Sequence, residues 1–205
     1  MSKETLHLML NLNPEELDTQ VALQCAPLLT GMKVSNLLTV AISRRDEVAQ
    51  LFKGTAVSCY ILYESAHKTT FLLYVRHKLA AYLSEDGVRE LMADLGCKDQ
   101  KLEEILKGVS EKYRNHMEDH GDFPHEIGLL LGYPVKDVIG FIENKGKNFL
   151  YMGYWKVYSD LPECKRIFGS YNHARERVIH MVSSGMKIDG ILRIHNLNQY
   201  KPITI

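Results

Sequence analysis

Residues 123–158 constrain the fold more than any other segment, because prolines, glycines and aromatic residues follow one another closely in them. A proline begins each of two helical patterns and a glycine follows the first, as is typical of helix starts and ends. The segment therefore predicts helices at about residues 124–131 and 134–144. Alternating residues then predict a strand at residues 150–158, which contains Trp155, the only tryptophan.

The rest of the chain predicts an α+β fold. Strands and amphipathic helices do not alternate one for one, which favours a mixed or mainly antiparallel sheet over a doubly wound parallel one. We expect a single domain over residues 1–205, with helices packed on a sheet of about four strands. A last short strand is predicted at residues 190–194, and residues 191–205 are expected to form a peripheral tail. The predicted strands of the sheet are residues 36–42, 57–63, 69–75 and 150–158.

Composition indicates a globular protein without a strong electric field. The chain has 205 residues, and its 25 basic residues balance its 25 acidic ones. A neutral chain attracts neither nucleic acid nor an anionic membrane over long range, so we expect no membrane partner. The four cysteines show no CxxC spacing, and no secretory or transmembrane pattern occurs, which predicts reduced thiols and a cytoplasmic protein.

His125 and Glu126 form a pair in the first turn of the first predicted helix. Adjacent residues of a helix point about 100° apart, so the two side chains do not act on one atom together. In the structural interpretation, the Glu126 carboxylate complements the positive end of the helix. In the functional interpretation, His125 is a general acid–base or a ligand contact beside a helix end.

His116 and His120 are spaced four residues apart, as in helical zinc sites. The neighbouring glutamate is one position later than in the HExxH motif, so the zinc-protease motif is absent. Both histidines also fall at the end of a predicted helix, where they complement its negative end. The two are therefore weak candidates for metal ligands, and we predict no metal site.

Alternation in the strand predicted at 150–158 places Tyr154, Lys156 and Tyr158 on one face, with Trp155 on the opposite face in the core. A lysine between two tyrosines is suited to a phosphate, a carboxylate or a flat ligand. A solvated sheet face or an oligomer contact fits the same pattern.

The two short helices joined near Tyr133 resemble a helix-turn-helix in outline. The second helix offers Lys136 and Lys145 against Asp137 and Glu143, which disfavours nucleic acid as a partner. The usual patterns of nucleotide-binding, dinucleotide-binding and serine-hydrolase proteins do not occur.

Three stretches of the chain form a recognisable set: Cys25-Ala26-Pro27 with Leu29, Gly31 and Lys33; Phe123–Gly128 with Leu131–Pro134, Asp137 and Val138; and Gly153 with Trp155–Tyr158. Together they resemble an uncharacterised bacterial family, catalogued as a domain of unknown function, over roughly residues 20–190. The chain departs from the family pattern at Gln24, where relatives usually carry His, and at Leu28, where they usually carry Thr. The resemblance implies no established reaction and no cofactor.

These observations favour a cytoplasmic domain that binds a small anionic or flat ligand, whose identity stays open. One alternative is an enzyme in which His125 is the general acid–base and Lys156 or Tyr158 stabilises negative charge. Another is a protein-interaction or homo-oligomerisation module without a small ligand. The predicted ligand-binding residues are Lys33, His125, Tyr154, Lys156 and Tyr158.

Overall fold

The computed structural model confirms the α+β class, with ten helices and two small antiparallel sheets in the part of the chain that it describes. It describes residues 3–97, 101–119 and 121–197. The chain divides into two compact units. The first unit takes the described residues of 1–77 and 170–205, and the second takes those of 78–169.

Helices outnumber strands in the part of the chain that the structure describes. None of the helices within the described ranges is both long enough and apolar enough to cross a membrane. The elements in chain order are α1 (Lys3–Asn11), α2 (Leu17–Leu29), β1 (Ser35–Ala41), a 3-10 turn (Ile42–Arg44), α3 (Arg45–Phe52), β2 (Val57–Glu64), β3 (Lys68–Val75), α4 (Arg76–Leu83), α5 (Asp86–Asp94), α6 (Leu102–Met117), α7 (Glu126–Leu130), α8 (Val135–Glu143), β4 (Tyr151–Met152), β5 (Lys156–Val157), α9 (Leu161–Ser183) and α10 (Ile188–Ile194).

The first unit contains a three-stranded antiparallel sheet in the order β1-β3-β2. These strands confirm the three predicted from alternating apolar residues in this part of the chain. Asn36 lies opposite Leu73, which in turn lies opposite Cys59. Opposed residues of an antiparallel sheet share a face, so this row and the Leu38–Phe71–Ile61 row point the same way.

The core of the first unit lies between that face and the helices α2 and α10. Val21, Cys25 and Leu28 of α2 are buried there. The segment predicted as a strand at residues 190–194 is instead the helix α10. Asp18 of α2 explains the difference, because its Oδ1 accepts a hydrogen bond of 2.8 Å from the N–H of Ile188 at the start of α10.

The second unit contains α5 to α8 and a β-hairpin. The single strand predicted at residues 150–158 is wrong, because β4 pairs antiparallel with β5. Gly153 donates its N–H to the Trp155 carbonyl at 3.0 Å, which closes a tight turn. The hairpin is a separate two-stranded sheet, so this segment adds no fourth strand to the β1-β3-β2 sheet.

Candidate functional site

Four of the five predicted ligand-binding residues lie in the second unit. His125 immediately precedes α7, Tyr154 lies in the hairpin turn, Lys156 begins β5 and Tyr158 follows it. Lys33 lies in the first unit, after the end of α2.

The buried carboxylate of Asp137 connects α8 to the hairpin. Asp137 Oδ2 accepts from Trp155 Nε1 at 2.7 Å, and Oδ1 accepts from the Tyr158 N–H at 2.9 Å. Ser159 donates to Oδ1 through its N–H at 2.9 Å and its hydroxyl at 2.8 Å. Burial raises the pKa of Asp137, but the hydrogen bonds from Tyr158, Trp155 and Ser159 outweigh it and hold the pKa below its ordinary value. This network is structural, and it fixes where β5 lies against α8.

Aromatic packing holds the hairpin in the same place. The Trp155 ring stacks on Tyr133 with centroids 5.1 Å apart, and it meets Phe168 of α9 edge-on at 4.4 Å. A Cβ at Gly153 would overlap the Phe168 ring, so the turn needs a glycine. Trp155 is therefore a core residue, as predicted from the sequence.

The two tyrosines have neighbours different from those of Lys156. The Tyr154 ring contacts Phe168 at 5.6 Å, because residue 154 belongs to the turn and the strand alternation does not extend to it. Tyr158 packs on Gly140, and its hydroxyl is enclosed without a hydrogen-bond partner in the described structure. Loss of solvation and the nearby Asp137 carboxylate raise the pKa of Tyr158.

Lys156 lies between two phenylalanine rings. Its Nζ is 5.5 Å from the Phe141 centroid and 5.1 Å from the Phe149 centroid, within the range of cation–π attraction. Nζ also donates a hydrogen bond of 2.7 Å to the Gly146 carbonyl. Gly146 has φ of +70° and lies just after α8, so the end of this helix positions the ammonium group.

The His125 ring meets the same Phe141 ring, with centroids 5.7 Å apart. The His125 ring also lies near Phe123, with ring centroids 6.3 Å apart. His125 and Lys156 thus share Phe141 as a neighbour. We refer to Lys156, Phe141, Phe149 and His125 as the lysine–aromatic site.

Glu126 lies in the first turn of α7, where a carboxylate complements the positive end of the helix, as the structural interpretation predicted. Its side chain is buried, with only 2% of the residue's surface exposed, and it pairs with Lys112 of α6. Since a buried carboxylate needs a counter-charge, the tertiary ion pair determines its position.

His116 faces neighbours within its own segment. Its Nδ1 lies 3.1 Å from the Gly121 carbonyl, and its ring meets Phe123 at 5.4 Å. The other weak metal candidate, His120, lies outside the described residues. Among the residues described, no three His, Cys, Asp or Glu side chains form a group that could hold a metal ion.

Lys33 is almost fully buried, with 7% of its surface exposed. Its Nζ donates to Asn36 Oδ1 at 3.4 Å, and the Asn36 amide lies 3.7 Å from Cys25 Sγ. Burial lowers the pKa of Lys33 to about 8, against the weaker opposing influence of Cys25. Lys33 thus belongs to the polar surroundings of the first unit's core.

Sequence reasoning missed Phe141 and Phe149, the two rings that flank Lys156. Phe141 lies on α8 and is half-buried, and helical spacing alone does not show that its ring reaches Lys156. The signal in the sequence was Lys156 between Tyr154 and Tyr158, whereas the rings beside its ammonium group are those of Phe141 and Phe149.

No curated protein and no solved structure matches this chain significantly. A family model described as "Protein of unknown function (DUF3793)" matches residues 21–192. This range agrees with the extent of the resemblance found in the sequence, and it contains every residue of the lysine–aromatic site. The chain therefore belongs to the family of unknown function DUF3793.

Proposed function

We propose that the chain is a binding domain for a small anionic ligand with a flat ring, and that the lysine–aromatic site is where this ligand binds. One observation carries the proposal: the Lys156 ammonium lies within 5.5 Å of two phenylalanine centroids, one of which also contacts His125.

The ammonium group of Lys156 has more N–H donors than its hydrogen bond to Gly146 uses. A lysine ammonium carries three N–H donors, and the Gly146 carbonyl accepts one of them. The two rings and this hydrogen bond hold the side chain in one place, so little conformational freedom is lost when an anion binds. Phe149 is 39% exposed and offers a ring face beside the charge.

The local charge also favours an anion. Residues 145–159 include Lys145, Lys147 and Lys156 and no aspartate or glutamate. The chain as a whole is neutral, so this segment supplies the local positive patch that an anionic ligand needs.

The free thiols of the four cysteines are consistent with a reducing compartment. No disulfide joins the four cysteines, all of which lie within the described ranges. We therefore place the proposed binding function in the cytoplasm.

A thermal-shift experiment tests the proposal. The purified chain is heated with flavin mononucleotide, adenosine monophosphate or haem, which are flat molecules that carry phosphate or carboxylate groups. Ligand at about 100 times its Kd stabilises a protein by about 2.7 kcal/mol. For a chain of this length, we expect Tm to rise by roughly 5–10 °C with at least one probe.

Lys156→Met is the informative variant, because methionine keeps an apolar stem between the rings and removes the charge. We expect it to abolish the ligand-induced shift. Lys136→Met on α8 is the matched control, since Lys136 is exposed and lies outside the site. An equal shift in Lys156→Met and Lys136→Met, or no shift with any probe in the wild type, would contradict the proposal.

The enzymatic alternative has weaker support from the geometry. In the described residues, the neighbours of the His125 ring are Phe123 and Phe141, and no carboxylate orients it through a hydrogen bond. General acid–base catalysis by histidine usually relies on such an orienting group. We therefore propose ligand binding in preference to catalysis.

A second candidate function is contact with another copy of the chain. Consecutive exposed apolar residues are rare on a soluble surface unless they bind something. Sedimentation velocity should show association that Leu150→Ser with Met152→Ser removes, and a monomer at every concentration would contradict it. The exposed fractions are 39% for Phe149, 59% for Leu150, 44% for Tyr151 and 65% for Met152.

A further inference from the structure

A run of four exposed apolar side chains lies in and just before the hairpin of the second unit. We refer to Phe149, Leu150, Tyr151 and Met152, whose exposed fractions range from 39% to 65%, as the apolar segment. A soluble surface rarely carries consecutive large apolar residues unless they contact something. Only Phe149 belongs to the lysine–aromatic site, so the small ligand proposed above does not cover the other three side chains.

The apolar segment is exposed on both faces of the hairpin. In the antiparallel pairing, Tyr151 lies opposite Val157 and Met152 lies opposite Lys156. Consecutive residues of a strand point to opposite faces, so Tyr151 and Met152 point in opposite directions. Both side chains are nevertheless exposed. A flat protein surface covers one face of a hairpin, whereas a fluid apolar phase encloses both.

Each aromatic ring of the apolar segment has a lysine beside it. The Lys156 Nζ lies 5.1 Å from the Phe149 centroid, and the Lys165 Nζ lies 5.4 Å from the Tyr151 centroid. Lysine stems lie along apolar surface at a membrane boundary and keep the ammonium group in water. Tyrosine rings are enriched at the same boundary. The pairing of lysines with aromatic rings is therefore typical of a lipid interface.

The charge around the apolar segment is positive. Residues 144–159 contain three lysines and no aspartate or glutamate, and Lys165 of α9 adds a fourth positive charge. The carboxylates that follow are already engaged: Glu163 pairs with Arg166 at 2.6 Å, and Asp160 Oδ1 accepts the N–H of Glu163 at 3.1 Å. This excess of lysines complements a surface of anionic lipid headgroups.

Hydrogen bonds hold the backbone on both sides of Phe149. Gly146 and Asn148 have φ of +70° and +57°, which makes a tight path out of α8. The Gly146 carbonyl accepts a hydrogen bond of 2.7 Å from Lys156 Nζ, and the Leu150 N–H bonds to the Val157 carbonyl at 2.8 Å. Since the backbone is already ordered, contact with a partner costs little conformational freedom.

We propose that the apolar segment docks the chain on anionic lipid membranes, with its four side chains among the acyl chains and the neighbouring lysines at the headgroups. Interfacial helices bury their apolar faces about 5–10 Å deep at this boundary, and the hairpin inserts to a similar depth. The cytoplasmic leaflet carries anionic lipids, so this surface fits the location proposed above. Docking does not depend on the proposed small ligand.

The expectation of no membrane partner rested on the balanced charge of the whole chain. Net charge governs attraction at long range, and it is screened beyond about 8 Å at physiological salt. The apolar segment and its lysines act at contact, which is the local patch that a neutral chain needs. Docking of this kind requires no helix that crosses the membrane.

Charge favours lipid over a second copy of the chain as the occupant of this surface. A symmetric contact between two copies brings the same surface of each together. The lysines of both copies would then face one another, and like charges across an interface are unfavourable. Anionic headgroups supply the opposite charge instead.

Flotation with lipid vesicles tests the proposal. The full chain is mixed with vesicles of phosphatidylcholine that contain about one-third phosphatidylglycerol, or with vesicles of phosphatidylcholine alone. We expect binding to the anionic vesicles to be at least about tenfold tighter, and to weaken in about 1 M salt, where charges are screened beyond about 3 Å. Equal binding to the two kinds of vesicle, or binding to neither, would overturn the proposal.

Two double variants test the apolar contact. Leu150→Ser with Met152→Ser should weaken binding to anionic vesicles by about tenfold or more, because two side chains no longer enter the acyl region. Leu6→Ser with Leu10→Ser is the matched control, since these leucines are also exposed but lie on α1 in the first unit. If the two double variants bind equally well, the apolar segment is not inserted and the proposal is wrong.

A second pair of variants tests the charges. Each lysine near an anionic surface contributes about fivefold to affinity, so Lys147→Gln with Lys165→Gln should weaken binding by roughly twentyfold. Lys53→Gln with Lys101→Gln, which changes two exposed lysines elsewhere, should have no such effect. Unchanged binding in the first pair would contradict recognition of anionic lipid. A chain that self-associates in sedimentation velocity but does not float with vesicles would assign the apolar segment to a second copy and overturn membrane docking.

Discussion

At the scale of single residues, the Asp137 carboxylate determines the geometry around the candidate ligand site. It accepts hydrogen bonds from Trp155, Tyr158 and Ser159, so it fixes β5 and hence Lys156 relative to α8. The sequence contains these residues but does not show that they meet. Trp155 was predicted to be buried, and a buried indole N–H needs an acceptor, yet spacing alone does not identify which carboxylate supplies it.

Asp137→Asn should destabilise the second unit by about 3 kcal/mol, because an amide nitrogen then faces donors that need an acceptor. Urea unfolding followed by Trp155 fluorescence measures this, since Trp155 is the only tryptophan. The control is Asp94→Asn on the exposed end of α5, which should change stability by less than about 0.5 kcal/mol. A similar effect of both substitutions would show that the network contributes little.

The Asp137 carboxylate also predicts that the unfolding free energy decreases at acidic pH. The folded-state pKa of Asp137 is below the ordinary value of 3.8, so its contribution to stability is complete above that pH. The contribution is lost as the pH falls from 3.8 through the lower folded-state pKa. The difference in unfolding free energy between wild type and Asp137→Asn should therefore shrink at acidic pH. A constant difference from pH 7 to pH 2 would contradict the assigned protonation.

The charge of Lys33 has the opposite effect on stability, because it disfavours the folded state, and this effect changes at alkaline pH. Its pKa falls from 10.5 to about 8 on folding, so its charge disfavours the folded state below pH 8. That cost disappears as the pH rises from about 8 to 10.5. Lys33→Met should raise stability at pH 7 by about 2 kcal/mol, after allowance for the lost hydrogen bond to Asn36. Far-UV circular dichroism during urea unfolding measures the gain, which should vanish near pH 10.5.

At the scale of elements, the sequence predicted most segments but not all of their partners. The strands of the β1-β3-β2 sheet and the helices α6 and α8 follow from periodicity and from glycine or proline at their ends. The hairpin was missed because alternation over residues 150–158 fits either one strand or two strands with a tight turn. Contact of Gly153 with the Phe168 ring decides between them, and Phe168 belongs to α9, the helix that follows the hairpin.

Gly153→Ala should therefore destabilise the second unit by about 2 kcal/mol, since the added methyl group overlaps the Phe168 ring. Gly108→Ala is the matched control. Gly108 lies inside α6 with no atom within 4 Å of an added Cβ, so alanine there should stabilise the helix by about 0.5–1 kcal/mol. Thermal unfolding of both variants measures these opposite signs. If Gly153→Ala is neutral, the turn does not depend on close packing.

At the scale of the whole molecule, the single domain predicted from the sequence stays a prediction, and the described residues group into two compact units. The division was not visible because its boundaries fall within the helices α4 and α9 and not in a linker rich in glycine or proline. The sequence likewise did not show which of the predicted site residues lie together in space. His125 and Lys156 were predicted as one site and do share Phe141, while Lys33 has a polar environment of its own in the first unit.

Each unit buries its own apolar residues, so we expect the two to unfold in separate steps. The cysteines report on them individually, because Cys25 is buried in the first unit and Cys164 in the second. Pulsed alkylation at increasing urea, read by mass spectrometry, gives an unfolding midpoint for each thiol. Gly153→Ala should lower the midpoint of Cys164 and leave that of Cys25 unchanged, whereas Lys33→Met should raise only that of Cys25. If both midpoints move together in both variants, the chain unfolds as the single cooperative domain that the sequence predicted.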